Sequence, residues 1–318
     1  MILGFVYHKK GKEESWCKYI KRSKTTMKKP FFILSLILTL FLAACGNGNN
    51  NEGSGEGEEQ NKKVSMAMMS WIDNISTAYL WKEILEQEGY EVEMLELDKA
   101  AMWTGLSRGD IDLSSQAWLP LSDQSLYQEY QDTIDFGETW YEGTKLGLVV
   151  PEYMTDMNSI EDLSAQADTF NSEIVGIDPG SSLMELTSQT IERYGLTNLN
   201  LVESSEAAML TELKKAYDAE QPVVVTLWNP HWIFAEMDLK YLEDPENTYG
   251  DPDNIQFMAR QGFSEDHPEV YEWMTNWEMN DDQLGSLIKE VENASSHQEG
   301  AQQWVENNRE LVDGWLNK

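Results

Sequence analysis

The sequence predicts an α/β protein of two lobes joined by a double-crossover hinge. From Val64 onward, strand-like and helix-like segments alternate at short intervals, as they do in α/β domains. The alternation falls into two βα units of the same type. The chain passes from one to the other near residues 145–152 and back near 250–256, so lobe 1 is expected over 64–148 plus 254–318 and lobe 2 over 149–253. No internal repeat stands out at a fixed period, which sets solenoids and propellers aside.

Each element follows from local pattern. A strand over 64–71 leads to a helix over about 75–88, with Tyr79, Leu80, Ile84 and Leu85 on its apolar face and Gly89 as its stop. VEMLEL (92–97) reads as the second strand, followed by a helix near 99–108, a strand over 111–118 and a short helix near 123–130. GTKLGLVVP (143–151) is an apolar run ended by Pro151. The second unit opens on Ser159-Ile160-Glu161-Asp162, a helix start with Ser159 as N-cap and Asp162 in the capping-box position. IVGIDPG (174–180) is a strand and 181–195 a helix closed by Gly195. LNLVES (199–204), a helix over 205–220 and VVVTLW (223–228) complete the unit. Residues 239–249 read as strand then turn, and IQFMARQGF (255–263) carries the chain back to the first unit. From His267 the pattern is helical to the end, with Val270, Trp273, Met274, Trp277, Leu284, Leu287, Ile288 and Val291 as its apolar positions.

The N-terminus reads as an address label. Met27-Lys28-Lys29-Pro30 precedes the apolar run 31–44, and Cys45 follows Leu42-Ala43-Ala44. A basic segment, a short apolar run and small residues before a cleavage point make a secretory signal over 1–44, with Met27 as an alternative start. Leu-Ala-Ala-Cys resembles the bacterial lipobox, which makes Cys45 the expected lipidation site and first mature residue. Residues 46–63 are polar and Gly-rich, a flexible tether of roughly 20–25 Å reach. The remaining cysteine, Cys17, lies upstream of the cleavage point, so the mature chain has no disulfide partner and its core rests on burial alone. About 255 residues are ample for that.

Charge excludes several classes of partner. The whole chain has a formal net charge of −33; residues 1–44 hold nine of its 23 Lys/Arg and two of its 56 Asp/Glu, so the rest stands at −40. Nucleic acid and anionic lipid both require a basic face. The excess acidity fits either solubility alone or high external salt, where counterions screen the self-repulsion. Catalysis finds no support: there is no G-x-S-x-G, H-E-x-x-H or P-loop motif, and the histidines lie in separate segments, which also argues against a metal site. No cofactor is implied. A surface-anchored esterase would need an acid–base pair that spacing does not single out, and an adhesin would call for repeats or a large apolar patch.

Tryptophan points to binding instead. Trp71, Trp118 and Trp228 each close an apolar strand-like run, VSMAMMSWIDN (64–74), DIDLSSQAWLP (110–120) and PVVVTLWNPHW (222–232). In open α/β sheets ligands bind beyond the carboxyl ends of the strands. Three indoles converging there would form a box of π-faces for a methylated ammonium, a cation with no hydrogen-bond donor. The other tryptophans are expected to pack in the core, with Trp103 and Trp232 as buttresses. Pro179-Gly180-Ser181-Ser182 is a tight turn into a helix, either a plain N-cap or an anion site made of free N–H groups. Asp73, after Trp71, is expected either near the cage or on a solvated loop, and His231, directly after Pro230, as a hydrogen-bonded structural residue or a ligand contact.

At these residues the chain resembles a known family. SWIDN, MWTGLSRGDIDLSSQAWLP, GLVVPEYM, NSIEDL, IVGIDPGSSLM, SSEAAMLTELKKAY and VVTLWNPHW, in order across 64–318, are similar to stretches of the glycine betaine-binding lipoproteins of ABC-type osmoprotectant uptake systems. The resemblance implies a two-lobed periplasmic-binding-protein fold (type II-like), a quaternary-ammonium ligand between the lobes, and an ABC permease as partner. It carries an aromatic cage onto Trp71, Trp118 and Trp228, and a carboxylate site onto the backbone N–H groups of Ser182 and Leu183. It also implies an extracytoplasmic location, with membrane contact only through the lipid anchor. One position departs from the pattern. Where many members have a carboxylate-binding histidine after AWLP, this chain has Asp123, which must point away, find another partner or serve a different ligand, with Ser122 as an alternative donor. Choline, carnitine and proline betaine therefore stay open beside glycine betaine.

Overall fold

The computed structural model describes residues 62–318; the expected signal, Cys45 and nearly all of the tether lie outside the described residues. In chain order the strands are β1 (Lys63–Met68), β2 (Glu91–Glu96), β3 (Leu113–Leu119), β4 (Ile134–Glu142), β5 (Lys145–Pro151), β6 (Glu173–Val175), β7 (Asn200–Val202), β8 (Val225–Asn229), β9 (Leu239–Tyr241) and β10 (Asn254–Arg260). Between them run helices α1 (Ile72–Gln87), α2 (Lys99–Arg108), α3 (Gln124–Tyr130), α4 (Leu163–Gln166), α5 (Ser182–Arg193), α6 (Glu206–Asp218) and α7 (Ile233–Glu236). After β10 come α8 (Phe263–Asp266), α9 (Pro268–Thr275), α10 (Asp281–Asn293), α11 (His297–Asn307) and α12 (Arg309–Trp315).

The strands form two mixed sheets of matching design, ordered β2-β1-β3-β10-β4 and β7-β6-β8-β5-β9. In each, three parallel strands are joined by an antiparallel crossing strand, β10 against β3 and β4, β5 against β8 and β9. Strand order reverses beside β1 in the first sheet and beside β6 in the second, which leaves a crevice at the carboxyl ends of those strands. Because β5 pairs within the second sheet, the first crossing falls at Gly143–Thr144, a few residues before the expected boundary at 148/149. The two crossings bond to each other: Thr144 N–H donates to the Asp253 carbonyl (3.1 Å), and Asp253 N–H donates to Thr144 Oγ1 (3.1 Å).

Strand β4 has no counterpart in the pattern reading. IDFGETWYE lacks clean alternation, and among the described residues it is an edge strand that pairs with β10 alone. Its Gly137 lies against the Phe257 ring, where a Cβ would come within 2.0 Å of Phe257 Cε1, so close packing rather than side-chain pattern sets the strand there. Conversely, 174–180 contributes only the short β6; beyond Val175 the backbone leaves the sheet to enter the turn before α5. Ser159 and Asp162 do form a capping box, at the head of a short 3-10 turn over Ile160–Asp162.

The C-terminal helices are held to the first lobe by tryptophan. Trp140 of β4 stacks on Trp277 at 3.9 Å, Trp81 of α1 meets Trp277 edge-on at 5.5 Å, and Trp304 stacks on Trp315 at 6.3 Å. All five are buried, as expected, and such pairs add about 0.5–1.5 kcal/mol each beyond the area they bury. In α10 the spacing of Leu284, Leu287, Ile288 and Val291 puts one apolar stripe against the core, and Asn280 and Gln283 close the first turn as a capping box.

Candidate ligand-binding site

The crevice between the two sheets holds a cavity. Trp71 enters it from the turn between β1 and α1, Trp118 from the end of β3, and Trp228 from the end of β8. All three indoles expected from the sequence therefore line one space, two from the first lobe and one from the second. The last two sit in Trp-x-Pro turns of the same kind, with cis peptide bonds at Leu119–Pro120 and Asn229–Pro230. Met69, Leu146 and Ile177 complete the apolar lining.

The N-terminus of α5 lines the same cavity. Ser181 is its N-cap, with Oγ accepting from Met184 N–H (3.2 Å) and the carbonyl accepting from Glu185 N–H (3.2 Å). The N–H groups of Ser182 and Leu183 find no acceptor among the described residues, and both residues line the cavity. Two free donors and the positive end of the helix dipole are what an anion needs.

Asp123 lines the cavity too, and it has found another partner. Its Oδ1 accepts from Lys99 Nζ (2.5 Å) and from Ser182 Oγ (3.2 Å), and its Oδ2 accepts from Trp118 N–H (2.8 Å). The carboxylate is thereby neutralised and used to seat both Lys99 and Trp118. Lys99 itself went unnoticed in the sequence. One signal was present: it is the first residue of α2, after the N-cap Asp98, and a lysine at the positive end of a helix is unfavourable unless a carboxylate holds it.

Of the two positions open to Asp73, the structure has the one beside the indoles. It is buried rather than on a solvated loop, it lines the cavity, and its Oδ1 accepts from Trp228 Nε1 at 3.1 Å across the lobe interface. Burial pushes its carboxyl up to about 6, with the neighbouring Glu206 adding to the effect.

His231 belongs to the support rather than to the cavity wall. Its Nδ1 accepts from Ile233 N–H (3.1 Å), so Nε2 carries the proton and donates to Glu206 Oε1 (3.1 Å). Its ring stands edge-on to Trp228 at 4.8 Å. Burial holds the imidazole down at about 4, hence neutral at ordinary pH. Glu206 reaches across to the first lobe, where Oε2 accepts from Ile72 N–H (2.9 Å). Burial pushes this carboxyl up to about 8, against the Ile72 bond, which favours the ionised form. The lobes are thus bridged beside the cavity by Glu206–Ile72, Trp228–Asp73 and Ser182–Asp123, each joining residues far apart in sequence.

Two α/β lobes around a cleft lined by indoles and by open N–H groups define a two-lobed substrate-binding protein. The chain belongs to the family described as the substrate binding domain of ABC-type glycine betaine transport systems, whose pattern matches residues 62–307. It is similar to the glycine betaine/carnitine transport binding protein GbuC of Listeria monocytogenes, 38% identical over 150 residues. That match covers 46% of this chain and spans half the length of the Listeria protein. Among solved structures, lactococcal OpuAC in its closed-liganded conformation with glycine betaine is 32% identical with a TM-score of 0.75, covering 80% of this chain and 99% of that one. The glycine/betaine/L-proline-binding protein ProX of Borrelia burgdorferi is 29% identical with the same TM-score, covering 80% and 96%.

Proposed function

We propose that this chain captures glycine betaine, or a closely related quaternary-ammonium solute, outside the cytoplasm and hands it to an ABC permease. Cys45, lipidated, would tie it to the outer face of the cell membrane through the tether of 46–63. The observation that carries the reading is the meeting, in one cavity, of Trp71, Trp118 and Trp228 with the free N–H groups of Ser182 and Leu183. The indoles take the methylated cation and the helix N-terminus takes the carboxylate. Selectivity follows from hydration: sodium and ammonium ions hold water tightly, whereas a trimethylammonium gives up little on entering an aromatic box.

Asp73 adds a counter-charge to the cation end. Three π-faces at roughly 0.5–2 kcal/mol each, with charge-assisted bonds to the carboxylate, must exceed the cost of association. A net of about −7 to −8 kcal/mol corresponds to a micromolar-range Kd. Choline, carnitine and proline betaine share the cation and are the alternative ligands.

The test is tryptophan fluorescence titration with these solutes and with glycine from pH 8 down to pH 4.5. Saturable binding is expected for the methylated solutes and none for glycine. A bound cation favours ionised Asp73, so affinity should fall as pH drops through the Asp73 pKa of about 6. Asp73→Asn should remove that slope. Binding of glycine as tightly as glycine betaine would overturn the proposal, and a flat profile would remove Asp73 from the cation site.

A further inference from the structure

The pair formed by Lys99 and Asp123 has a consequence for ligand choice. Lys99 lies in α2 of the first lobe, its side chain 10% exposed, and its ammonium donates to Asp123 Oδ1 and to Ser182 Oγ (3.1 Å). An ammonium carries three donors, so one remains. That ammonium borders the cavity, 5.3 Å from the centroid of the Trp71 ring, and touches the residue whose N–H opens α5. Asp123, by contrast, is spent: one oxygen holds Lys99 and Ser182, the other Trp118 N–H.

We infer that Lys99, aimed by Asp123, is a specificity-determining residue that donates to the ligand's carboxylate, so that the site prefers zwitterions to purely cationic quaternary amines. The inference rests on the proposed quaternary-ammonium reading and adds to it the class of solute selected. The anion end of the site is then two backbone N–H groups and an ammonium, all next to the aromatic wall. Such a site suits a short solute whose carboxylate lies close to its methylated nitrogen. A pure cation would meet the Lys99 ammonium with nothing to offer it, and Asp123 would be screened from it by the same ammonium. The competing role for Lys99 is purely structural: as it bridges α2 to Ser182 of the second lobe, it would simply hold the lobes together.

Titrating glycine betaine and choline against wild type and variants separates the two roles. Lys99→Met strands the Asp123 carboxylate, so the double change Lys99→Met with Asp123→Asn accompanies it and leaves no unpaired charge. In both, glycine betaine binding is expected to weaken roughly ten- to hundredfold, the size of a lost charge-assisted hydrogen bond, while choline binding holds or tightens. Asp123→Asn alone leaves the ammonium uncompensated and is expected to tighten glycine betaine and weaken choline. Equal losses for both ligands in the double variant would make Lys99 a lobe bridge only and overturn the inference. So would a double variant that binds both ligands as wild type does. A wild-type protein that binds neither ligand fails the broader reading instead, a result distinct from either.

Discussion

Trp228→Ala is expected to cause the deepest loss of glycine betaine affinity among the cavity tryptophans. Its π-face is worth about 0.5–2 kcal/mol to a methylated cation. The change also removes the Nε1–H donor of Asp73, a buried carboxylate at the lobe interface, and an unmade buried hydrogen bond costs about 1–3 kcal/mol. His231, packed edge-on to the indole, loses its neighbour as well. Together these amount to about 1.5–5 kcal/mol, or a factor of roughly ten to several thousand in Kd by calorimetry. Trp71→Ala and Trp118→Ala lose a face without stranding a charge and should weaken binding by about tenfold or more. Trp228→Phe keeps an aromatic face and drops only the donor, so it should fall between wild type and Trp228→Ala. Unchanged affinity in any one alanine variant, with its thermal transition intact, would take that residue out of the ligand's surroundings.

Leu183→Pro should weaken recognition of the carboxylate by roughly ten- to hundredfold. Leu183 is the second residue of α5, where the N–H has no helical acceptor, so proline there breaks no helix bond. What it removes is one of the two free donors facing the cavity, a loss of about 1.5–3 kcal/mol for a bond to a charged group. Leu183→Ala keeps the donor and shortens the side chain, and it serves as the packing control. Ser182→Ala retains its N–H but loses the hydroxyl between Lys99 and Asp123, so a few-fold weakening is expected. Choline, with no carboxylate, should bind the proline variant about as well as wild type. Equal losses from proline and alanine at position 183 would point to the side chain and against the backbone donors. Circular dichroism must first establish that each variant keeps its helices.

How far the site could be read from the sequence depended on the range of the interaction. Trp71, Trp118 and Trp228 were legible because each ends a strand-like run, and the carboxyl ends of strands face the crevice in this architecture. Ser182 and Leu183 came from the family resemblance, and the glycine turn feeding a helix agrees with it, since such a turn leaves the helix's first N–H groups open. Lys99 and Glu206 were not legible, nor was the bond made by Asp73, since the partners Asp123, Ile72 and Trp228 come from other elements and, for the last two, from the other lobe. In a chain with so many carboxylates no spacing marks the few that are buried. Asp123 illustrates the limit: its departure from the family pattern was visible, but the lysine that answers it sits one helix and one strand earlier. The fold divided in the same way. The stripe on α10 follows from spacing within one helix, whereas β4 depends on Phe257 of β10 lying over Gly137.

The crystal structure of the protein grown with glycine betaine is the most direct test. The quaternary nitrogen is expected within about 6 Å of the ring centroids of Trp71, Trp118 and Trp228. The carboxylate is expected within hydrogen-bond reach of Leu183 N–H and Lys99 Nζ, about 2.7–3.2 Å. A ligand bound in the reverse sense, with its carboxylate among the indoles, or one seated outside this cleft, would contradict this placement.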